Sequence, residues 1–488
     1  MAVVSDEKPI EIEKSKTGID GLDQITGGGL PKRGATLVAG NVGCGKTLLA
    51  MQFLVNGALL ENEPGIFVAL EESNEELKRN FASIGIDIQS LIDRGLLTLL
   101  NVDVKKDFME KPEKTDMGGW FIKLADAIAS IKAKRVAIDI VDTLFLRVSD
   151  DATLRLQLQG LFHWLKELDL TVVCTAESGV GTLTLRGMEE YIADCVIKLD
   201  YRVTEQLSTR RLRIIKYRGA GHPSDEFPFV IDSKGISLIP ITSIRLEHNP
   251  SGEYIPTGIA ELDEMLQDKG FSRGSSILLT GTPGSGKTSI TFSFIDAACR
   301  RGERCVYFGF EESAAQTLHN MKSIGLDLQQ WVENGLLQLH TSRISMFGLE
   351  THLVTMYRVI EEFRPAVVVV DPMPTLTDVG SEQQAKSVIT RLIDFLKMRA
   401  ITTMFTHQTR EHSMGVATEV EIPSLFDTWL LLGDREADDE RYHTLLIFKS
   451  RGIAHSNRVC EFLLTDNGIW LKPLARGTTN NPGVKAEG

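Results

Sequence analysis

The 488-residue sequence has no apolar run long enough to cross a membrane. Stretches such as PAVVVVD at residues 365–371 fall far short of the ~18 apolar residues that a spanning helix needs, and residues 1–16 contain no apolar signal-peptide core. The six cysteines are scattered singly, with no CxxC pair and no histidine at zinc spacing, so neither a disulfide framework nor a structural zinc site is expected. These absences favour a cytoplasmic protein in a reducing compartment.

The sequence is also short of positive charge. It has 53 Lys and Arg residues against 66 Asp and Glu residues, a formal net charge of -13. Because proteins that coat nucleic acid neutralise many phosphates with Lys and Arg, nucleic acid is not the expected main partner, although a local basic channel within a ring is compatible with this balance. The composition is otherwise that of a globular protein, and at roughly 100–200 residues per domain the length suggests two to four domains.

What the sequence does contain is a repeat of nearly its whole length. TGIDGLD at 17–23 returns as TGIAELD at 257–263, and SIGIDIQSLIDRGLL at 83–97 returns as SIGLDLQQWVENGLL at 323–337. A period of about 240 residues is too long for a solenoid unit, so each copy is predicted to be a domain with its own core. The predicted organisation is an N-terminal tail at 1–16, a first domain at 17–240, a linker at 241–256, a second domain at 257–470 and a short disordered tail at 471–488.

Each copy has a glycine-rich loop between an apolar strand and an amphipathic helix, GNVGCGKT at 40–47 and GTPGSGKT at 281–288. In this context G-x-x-x-x-G-K-T predicts a P-loop, because the glycines turn backbone amides inward around an anion, the lysine reaches the terminal phosphates and the threonine ligates Mg²⁺. The predicted phosphate-binding residues are Gly43, Cys44, Gly45, Lys46 and Thr47 in the first copy and Gly284, Ser285, Gly286, Lys287 and Thr288 in the second.

An apolar strand pattern ends in an acid in both copies, at Asp139 in VAIDIVDT and at Asp371 in VVVVDPMP. A carboxylate there can hold Mg²⁺ through water beside Thr47 or Thr288, as P-loop enzymes require. The alternative is an aspartate that only caps the next turn.

Paired glutamates, Glu71-Glu72 and Glu311-Glu312, follow the strand after each P-loop helix. Open α/β sheets bind ligands at the carboxyl ends of their strands, and a carboxylate there can take a proton from an attacking water or hydroxyl. Solvated surface acids are the alternative, above all for the second glutamate of each pair.

A basic segment, K-x-R-G-x-x-H, also occurs twice. Residues two apart on a strand point the same way, so the lysine and arginine present two cations to one target. They are candidates for fingers that reach a neighbouring subunit's nucleotide, with ordinary surface charge as the alternative. The residues are Lys216, Arg218 and His222 in the first copy and Lys449, Arg451 and His455 in the second.

Over nearly its full length the chain resembles KaiC, the double-domain RecA-type ATPase family of circadian clock systems. The segments that carry the resemblance include GGLPKRGATLVAGNVGCGKTLLAMQFLVNG, KYRGAGHPSDEFPF and FKSRGIAHSNRVCEFLLTDNG. The resemblance implies two tandem RecA-like α/β domains, each a parallel-rich twisted sheet flanked by helices, in a two-tiered homohexameric ring with ATP and Mg²⁺ between subunits. It also implies nucleotide contacts from Leu48, Ser83, Tyr217, Asp232 and Ser289.

In that family the N-terminal tier hydrolyses ATP slowly and the C-terminal tier phosphorylates an adjacent Ser-Thr pair on its own chain. Here the matching segment, TEVEIPSLFDTWLLL, has Pro423 at the first position of the pair and Ser424 at the second, with Thr418 upstream. One-site autophosphorylation at Ser424 is therefore expected rather than a two-site cycle; the alternative is a turn serine after a proline. Pro372 and Pro374 replace serines of the family, with an effect that the sequence does not define.

The resemblance also bears on partners. The tail after residue 470 is short, so regulation by a KaiA-like activator is not expected. A KaiB-like partner on the N-terminal tier stays open, because the charged segment 103–120 occupies the corresponding loop region; a solvated loop is the alternative. Two further readings are an ATP-dependent scaffold without kinase activity and a RecA- or helicase-like DNA-handling ATPase, although the sequence has neither the basic pore loops nor the zinc module of the latter.

Overall fold

The chain divides into two compact units, residues 1–243 and 244–488. The structure, a computed structural model, describes residues 12–102, 118–145, 150–179, 181–187, 189–204, 207–238, 252–342, 349–373, 382–409, 422–437, 440–466 and 468–474.

The first unit is built on a nine-stranded sheet in the order β11-β10-β9-β8-β3-β7-β6-β4-β5. Strands β3 to β8 pair in parallel, and β9, β10 and β11 extend the sheet antiparallel at one edge. The strands are β1 Lys14–Ser15, β2 Leu30–Pro31, β3 Ala35–Gly40, β4 Gly65–Ala69, β5 Leu97–Asn101, β6 Arg135–Asp139, β7 Thr171–Glu177, β8 Cys195–Thr204, β9 Leu207–Tyr217, β10 Glu226–Asp232 and β11 Gly235–Leu238.

The second unit repeats this topology in the order β16-β15-β17-β18-β14-β19-β20-β21-β22. Its strands are β12 Tyr254–Ile255, β13 Phe271–Ser272, β14 Ser276–Gly281, β15 Cys305–Gly309, β16 Leu337–Thr341, β17 Val367–Asp371, β18 Thr402–Gln408, β19 Thr428–Ala437, β20 Glu440–Ser450, β21 Cys460–Thr465 and β22 Gly468–Pro473. The predicted fold of two tandem RecA-like domains with parallel-rich sheets is thus confirmed.

The central strands are apolar on both faces because helices cover both sides of each sheet. Successive side chains of a strand point to opposite faces, and Leu37 and Val38 accordingly belong to two separate core clusters of the first unit. The same reasoning explains the run Val367–Val370, which is buried throughout.

Helices connect the parallel strands. The first unit has Leu22–Ile25, Lys46–Leu60, Asn74–Ser83, Ile88–Asp93, Gly118–Ile131, Asp151–Glu167 and Glu189–Ile192, with a 3₁₀ turn at Val141–Phe145. The second has Ala260–Met265, Lys287–Arg300, Ala314–Lys322, Gln329–Glu333, Leu349–Phe363 and Glu382–Met398, with a 3₁₀ turn at Ile422–Leu425. Within the described residues, no helix is both long and apolar enough to cross a membrane.

Short strands extend beyond the predicted domain bounds. β1 lies in the predicted tail, β12 lies in the predicted linker, and β22 continues past residue 470, because each pairs with a strand of its own unit. Trp120, the last residue of the predicted charged loop, lies instead on a helix and is buried. Residues 103–117 of that loop, Pro374, Thr418 and the tail after residue 474 lie outside the described residues.

Candidate functional site

Each glycine-rich loop lies at the carboxyl end of the central strand, between β3 or β14 and the helix that follows. Gly45 and Gly286 cap these helices with φ of 103° and 90°, in the left-handed region that favours glycine. They are also closely packed: a Cβ on Gly45 would lie 2.8 Å from Ile231 Cδ1, and one on Gly286 would lie 2.4 Å from Phe462 Cε1. Both loops therefore need glycine for its backbone conformation, and Gly286 needs it also for its small size, because the Phe462 ring is buried.

The lysine of each loop folds back onto the strand end. Lys46 Nζ donates to the carbonyls of Gly40 at 2.8 Å and Asn41 at 3.0 Å. Lys287 Nζ donates to those of Gly281 at 2.9 Å and Thr282 at 2.7 Å. An ammonium has three N–H donors, of which the described residues accept two, so one can be offered to a phosphate oxygen.

The threonine after each lysine contacts the strand-end aspartate predicted to hold metal. Thr47 Oγ1 lies 3.0 Å from Asp139 Oδ2, and Thr288 Oγ1 lies 2.8 Å from Asp371 Oδ2. Both aspartates are buried, and burial raises the pKa of Asp139. A hydroxyl and a carboxylate in contact at the edge of a phosphate loop are the oxygen ligands that Mg²⁺ takes.

Neighbouring strands support these aspartates with hydroxyl groups that the sequence did not single out. Thr175 Oγ1 donates to Asp139 at 2.7 Å. In the second unit Thr406 donates to Asp371, and the Tyr307 hydroxyl donates to it at 3.0 Å. Asp139 is thus held by one neighbouring strand and by the P-loop helix, and Asp371 by two neighbouring strands and the P-loop helix.

The glutamate pairs stand between the end of β4 or β15 and the next helix. Ser73 and Glu76 form a capping box at the start of the helix Asn74–Ser83, which fixes where the chain leaves the strand. Glu71 accepts a hydrogen bond from Thr143 Oγ1 at 3.2 Å, whereas Glu72 faces Asn80 Nδ2 at 3.4 Å.

In the second unit the two glutamates also differ in surroundings. Gln408 Nε2 donates to Glu311 Oε1 at 2.6 Å, and Asn320 Nδ2 donates to Glu312 at 3.1 Å. Partial burial and the negative charge of Asp371 raise the pKa of Glu311. A raised pKa makes Glu311 a better proton acceptor than an ordinary surface glutamate.

A cleft of about 300 Å³ opens beside the first P-loop. Its lining contains Leu48 and Glu72 as well as three residues that the sequence analysis missed, Asn80, Phe81 and Ile84. Ser83, predicted to contact nucleotide, stands next to this lining and donates to the Asn80 carbonyl at 2.7 Å. The apolar residues of the helix Asn74–Ser83 recur at helical spacing, and such a pattern indicates packing against the core. It does not indicate that part of the same helix lines a cleft.

The basic segments contact their own chain. Lys216 Nζ donates to the carbonyls of Glu190 and Tyr191 at 2.9 and 3.1 Å, and Arg218 donates to the Tyr191 carbonyl at 2.8 Å. Arg218 also lies 3.3 Å from Asp194 Oδ1. Both cations thus point at one short segment, as expected for residues two apart, but that segment belongs to the same unit.

The second unit repeats this arrangement. Lys449 Nζ donates to the Phe426 carbonyl and Arg451 to the Ser424 carbonyl, each at 2.8 Å, and Arg451 lies 4.0 Å from Asp427. Ser424 itself is exposed in the 3₁₀ turn. The predicted acceptor serine and the predicted finger arginine are therefore in direct contact.

Other predicted nucleotide contacts are spread around the two loops. The Tyr217 ring is buried and its hydroxyl donates to the Gly29 carbonyl at 2.9 Å, so that a nucleotide contact has to come from its main chain. Asp232 accepts from the Lys234 amide in the β10–β11 turn, and Ser289 is buried in the P-loop helix. His222 and His455 lie after their strands, with Nδ1 3.1 Å from Pro223 O and 3.5 Å from Ile453 O.

A carboxyl cluster that the sequence did not reveal lies beside the first site. Asp142 Oδ2 accepts from the Glu177 amide at 2.9 Å. Burial, followed by the nearby carboxylates of Glu189 and Glu177, raises the pKa of Asp142 to about 7. Asp142 therefore binds a proton near neutral pH in the folded chain.

A P-loop, a strand-end aspartate bonded to its threonine and a glutamate at the next strand, all on a RecA-like sheet, define a P-loop ATPase domain, and the chain has two. Comparison with known proteins gives the family. The family model "ATPase: KaiC" matches residues 15–243 and 255–476. The chain belongs to the KaiC family.

Curated relatives agree with that assignment. "Circadian clock protein KaiC2" of Synechocystis sp. is 43% identical over 472 residues, which cover 96% of this chain and 83% of the relative. "Circadian clock oscillator protein KaiC" of Parathermosynechococcus lividus is 36% identical, covering 96% and 86%. "Circadian clock protein KaiC3" of Synechocystis sp. is 34% identical, covering 97% and 94%.

Replacing Asp142 should change how stability depends on pH. Because its pKa is higher in the folded chain than in the unfolded chain, the proton that it binds stabilises the fold at low pH, and this contribution is lost as pH rises through about 7. Asp142→Asn removes the buried charge, so its melting temperature relative to the parent should rise by several degrees between pH 5 and pH 8, as measured by differential scanning calorimetry.

Asp150→Ala is the control, because its effect on the pH dependence of stability should have the opposite sign. Hydrogen bonds from Thr153 lower the pKa of Asp150, so its contribution is present at neutral pH and lost in acid. If the pH curve of Asp142→Asn runs parallel to that of the parent, the buried-carboxyl account of Asp142 is wrong.

Proposed function

We propose that the chain binds ATP with Mg²⁺ in both units and assembles as a two-tiered homohexamer with ATP between subunits. The observation that supports this most directly is the repetition of the whole arrangement, the folded-back lysine and the threonine–aspartate contact, in both halves. The clock names of the relatives suggest a clock or regulatory timing protein. We propose the cytoplasm as its location, on the composition of the sequence and the scattered cysteines.

In each site the P-loop amides and Lys46 or Lys287 bind the phosphates. Thr47 and Asp139, or Thr288 and Asp371, would hold Mg²⁺, which neutralises developing charge on the phosphates when bound. The described contacts fit these roles because both aspartates are buried and already touch the threonine hydroxyls.

Lys216 and Arg218 are proposed to reach the nucleotide of a neighbouring subunit, as are Lys449 and Arg451. Partial burial and the adjacent Arg218 lower the pKa of Lys216, and Lys449 is affected in the same way by burial and Arg451. Two cations that repel each other are stabilised by an anion placed between them. Their partners include main-chain carbonyls, which a phosphate can replace with a stronger, charge-assisted acceptor.

His222 and His455 belong to the same two basic segments and are proposed to contact the same nucleotides. Leu48, Ser83 and Asp232 are proposed to complete the first nucleotide site. This part of the proposal rests on the family and on the proximity of Leu48 and Ser83 to the cleft.

For the first unit we propose slow ATP hydrolysis with Glu71 as the proton acceptor. Glu71 is exposed at the carboxyl edge of the sheet, and its partner Thr143 orients one carboxylate oxygen. The second glutamate, Glu72, lines the cleft and is the competing candidate.

Glu71→Gln should reduce first-unit ATP hydrolysis by at least about 10²-fold while ATP stays bound, because removing a positioned proton acceptor typically costs 10²- to 10⁴-fold in rate. The measurement is phosphate release from the full chain carrying Lys287→Ala, which leaves only the first P-loop intact. Glu75→Gln, at an exposed residue paired with Lys78, is the control and should keep the parent rate. Parent-like turnover of Glu71→Gln, or loss in Glu72→Gln alone, contradicts the assignment.

For the second unit we propose serine autophosphorylation at Ser424, with Glu311 as base, Glu312 as the competing candidate and the γ-phosphate supplied by ATP of the neighbouring subunit. The Ser424 oxygen would attack the γ-phosphorus of that ATP as its proton passes to Glu311 of the neighbouring subunit, which stands at the same sheet edge as its own P-loop, and the bond to the ADP oxygen breaks. Two observations support this. Glu311 has a raised pKa and is oriented by Gln408, and Arg451 holds the Ser424 carbonyl while its side chain is about half exposed.

Incubation of the parent with ATP and Mg²⁺ should add one phosphate per chain, at Ser424, because Ser424 is exposed beside the arginine of the basic segment. Intact mass and phosphosite mapping measure this. Ser424→Ala should abolish the added mass and Glu311→Gln should slow its appearance, with Ser323→Ala, at an exposed serine away from the turn, as control. A map with nothing at Ser424 in a chain that still hydrolyses ATP would contradict the kinase proposal and leave a KaiC-like ATPase without kinase activity.

A further inference from the structure

The two P-loops differ in the side chains that the neighbouring strand pairs, β8–β9 and β19–β20, place next to them. At the same register position of the two strand pairs, Tyr201 faces Arg210 in the first unit and Asp434 faces His443 in the second. Arg210 lies over the Tyr201 ring, 4.7 Å from its centroid. His443 Nδ1 lies 2.6 Å from Asp434 Oδ1. A cation on an aromatic ring in one unit is thus replaced by a carboxylate–imidazole pair in the other.

Asp434 connects this pair to the second P-loop. Its side chain is only 4% exposed, and its other oxygen, Oδ2, accepts a hydrogen bond from Thr282 Oγ1 at 2.9 Å. Thr282 is the second residue of the loop, and it is buried. Its counterpart in the first unit, Asn41, is exposed.

Thr282 in turn holds the phosphate-binding groups. Its carbonyl accepts from Lys287 Nζ and from Ser285 Oγ, each at 2.7 Å. Burial lowers the pKa of Lys287, while the negative charges of Asp371, Glu311 and Asp434 act in the opposite direction. Hydrogen bonds therefore run without a break from His443 through Asp434 and Thr282 to Lys287.

We propose that Asp434, supported by His443, is a positioning residue for nucleotide in the second unit: it fixes Thr282 and so the carbonyl that orients Lys287. This inference rests on the proposed role of the second P-loop as an ATP site. A loop already held in its binding conformation loses less conformational entropy when ATP binds, so releasing Thr282 should weaken binding. Among the described residues the first P-loop has no such connection, so it should not respond to the same kind of change.

The test uses the full chain carrying Lys46→Ala, in which only the second P-loop keeps its lysine. Calorimetric titration with the non-hydrolysable analogue AMP-PNP and Mg²⁺ gives the dissociation constant. Thr282→Val, which keeps the side-chain shape and removes the hydroxyl, should raise it about tenfold, and so should Asp434→Ala, since each removes a buried hydrogen bond to a charged group. Thr282→Ser, which restores the hydroxyl, should return it to within about twofold of the parent.

The control is Arg210→Ala in the full chain carrying Lys287→Ala, which removes the counterpart of His443 in the first unit and should leave the dissociation constant within about twofold. If Asp434→Ala does not fold, the comparison of Thr282→Val with Thr282→Ser decides. Unchanged binding in folded Thr282→Val, or failure of Thr282→Ser to restore it, overturns the positioning role. If the chain carrying Lys46→Ala alone binds no AMP-PNP, the second P-loop is not an ATP site and the proposed function fails instead.

Discussion

The site in each unit depends on one constraint, the burial of a lysine ammonium at the carboxyl end of the central strand. Lys46 and Lys287 are 8% and 7% exposed, and an ammonium taken out of water needs hydrogen-bond acceptors around it. The strand-end carbonyls supply two of these acceptors. The turn that brings the lysine back to them requires the left-handed glycines, and the parallel sheet places the aspartate and glutamates at the same edge.

Around that shared frame the two halves differ in chemistry. The central strands end at Gly40 and Gly281. Gly40 pairs with Glu177 on the neighbouring strand, and Gly281 pairs with Gln408. Glu177 belongs to a carboxyl cluster with Asp142, whereas Gln408 donates to Glu311. Tyr201 and Arg210 of the first unit are also replaced by Asp434 and His443 in the second. The two proposed nucleotide sites therefore have different charged and polar groups around them. These differences are the basis for proposing different reactions in the two units.

Much of this could be predicted from the sequence because local patterns carry it. The P-loops, the strand-end aspartates and the glutamate pairs follow from short motifs next to apolar strands, and the repeat indicates two domains. The supporting groups, such as Thr175, Gln408 and Asp434, could not be predicted, because they meet the site only through the strand order of the sheet, more than thirty residues away in sequence from their partners. The self-contacts of Lys216 and Arg218 were hidden for the same reason, since they depend on the pairing of β8 with β9.

The central claim is that each chain carries two ATP sites of the same construction, and native mass spectrometry tests it most directly. With AMP-PNP and Mg²⁺ the parent should appear as a hexamer with two nucleotides per chain, and Lys46→Ala and Lys287→Ala should each retain one per chain at the other P-loop. The account is contradicted if the parent binds one nucleotide per chain and one of the two variants binds as many as the parent. Only one of the two lysines would then hold a nucleotide.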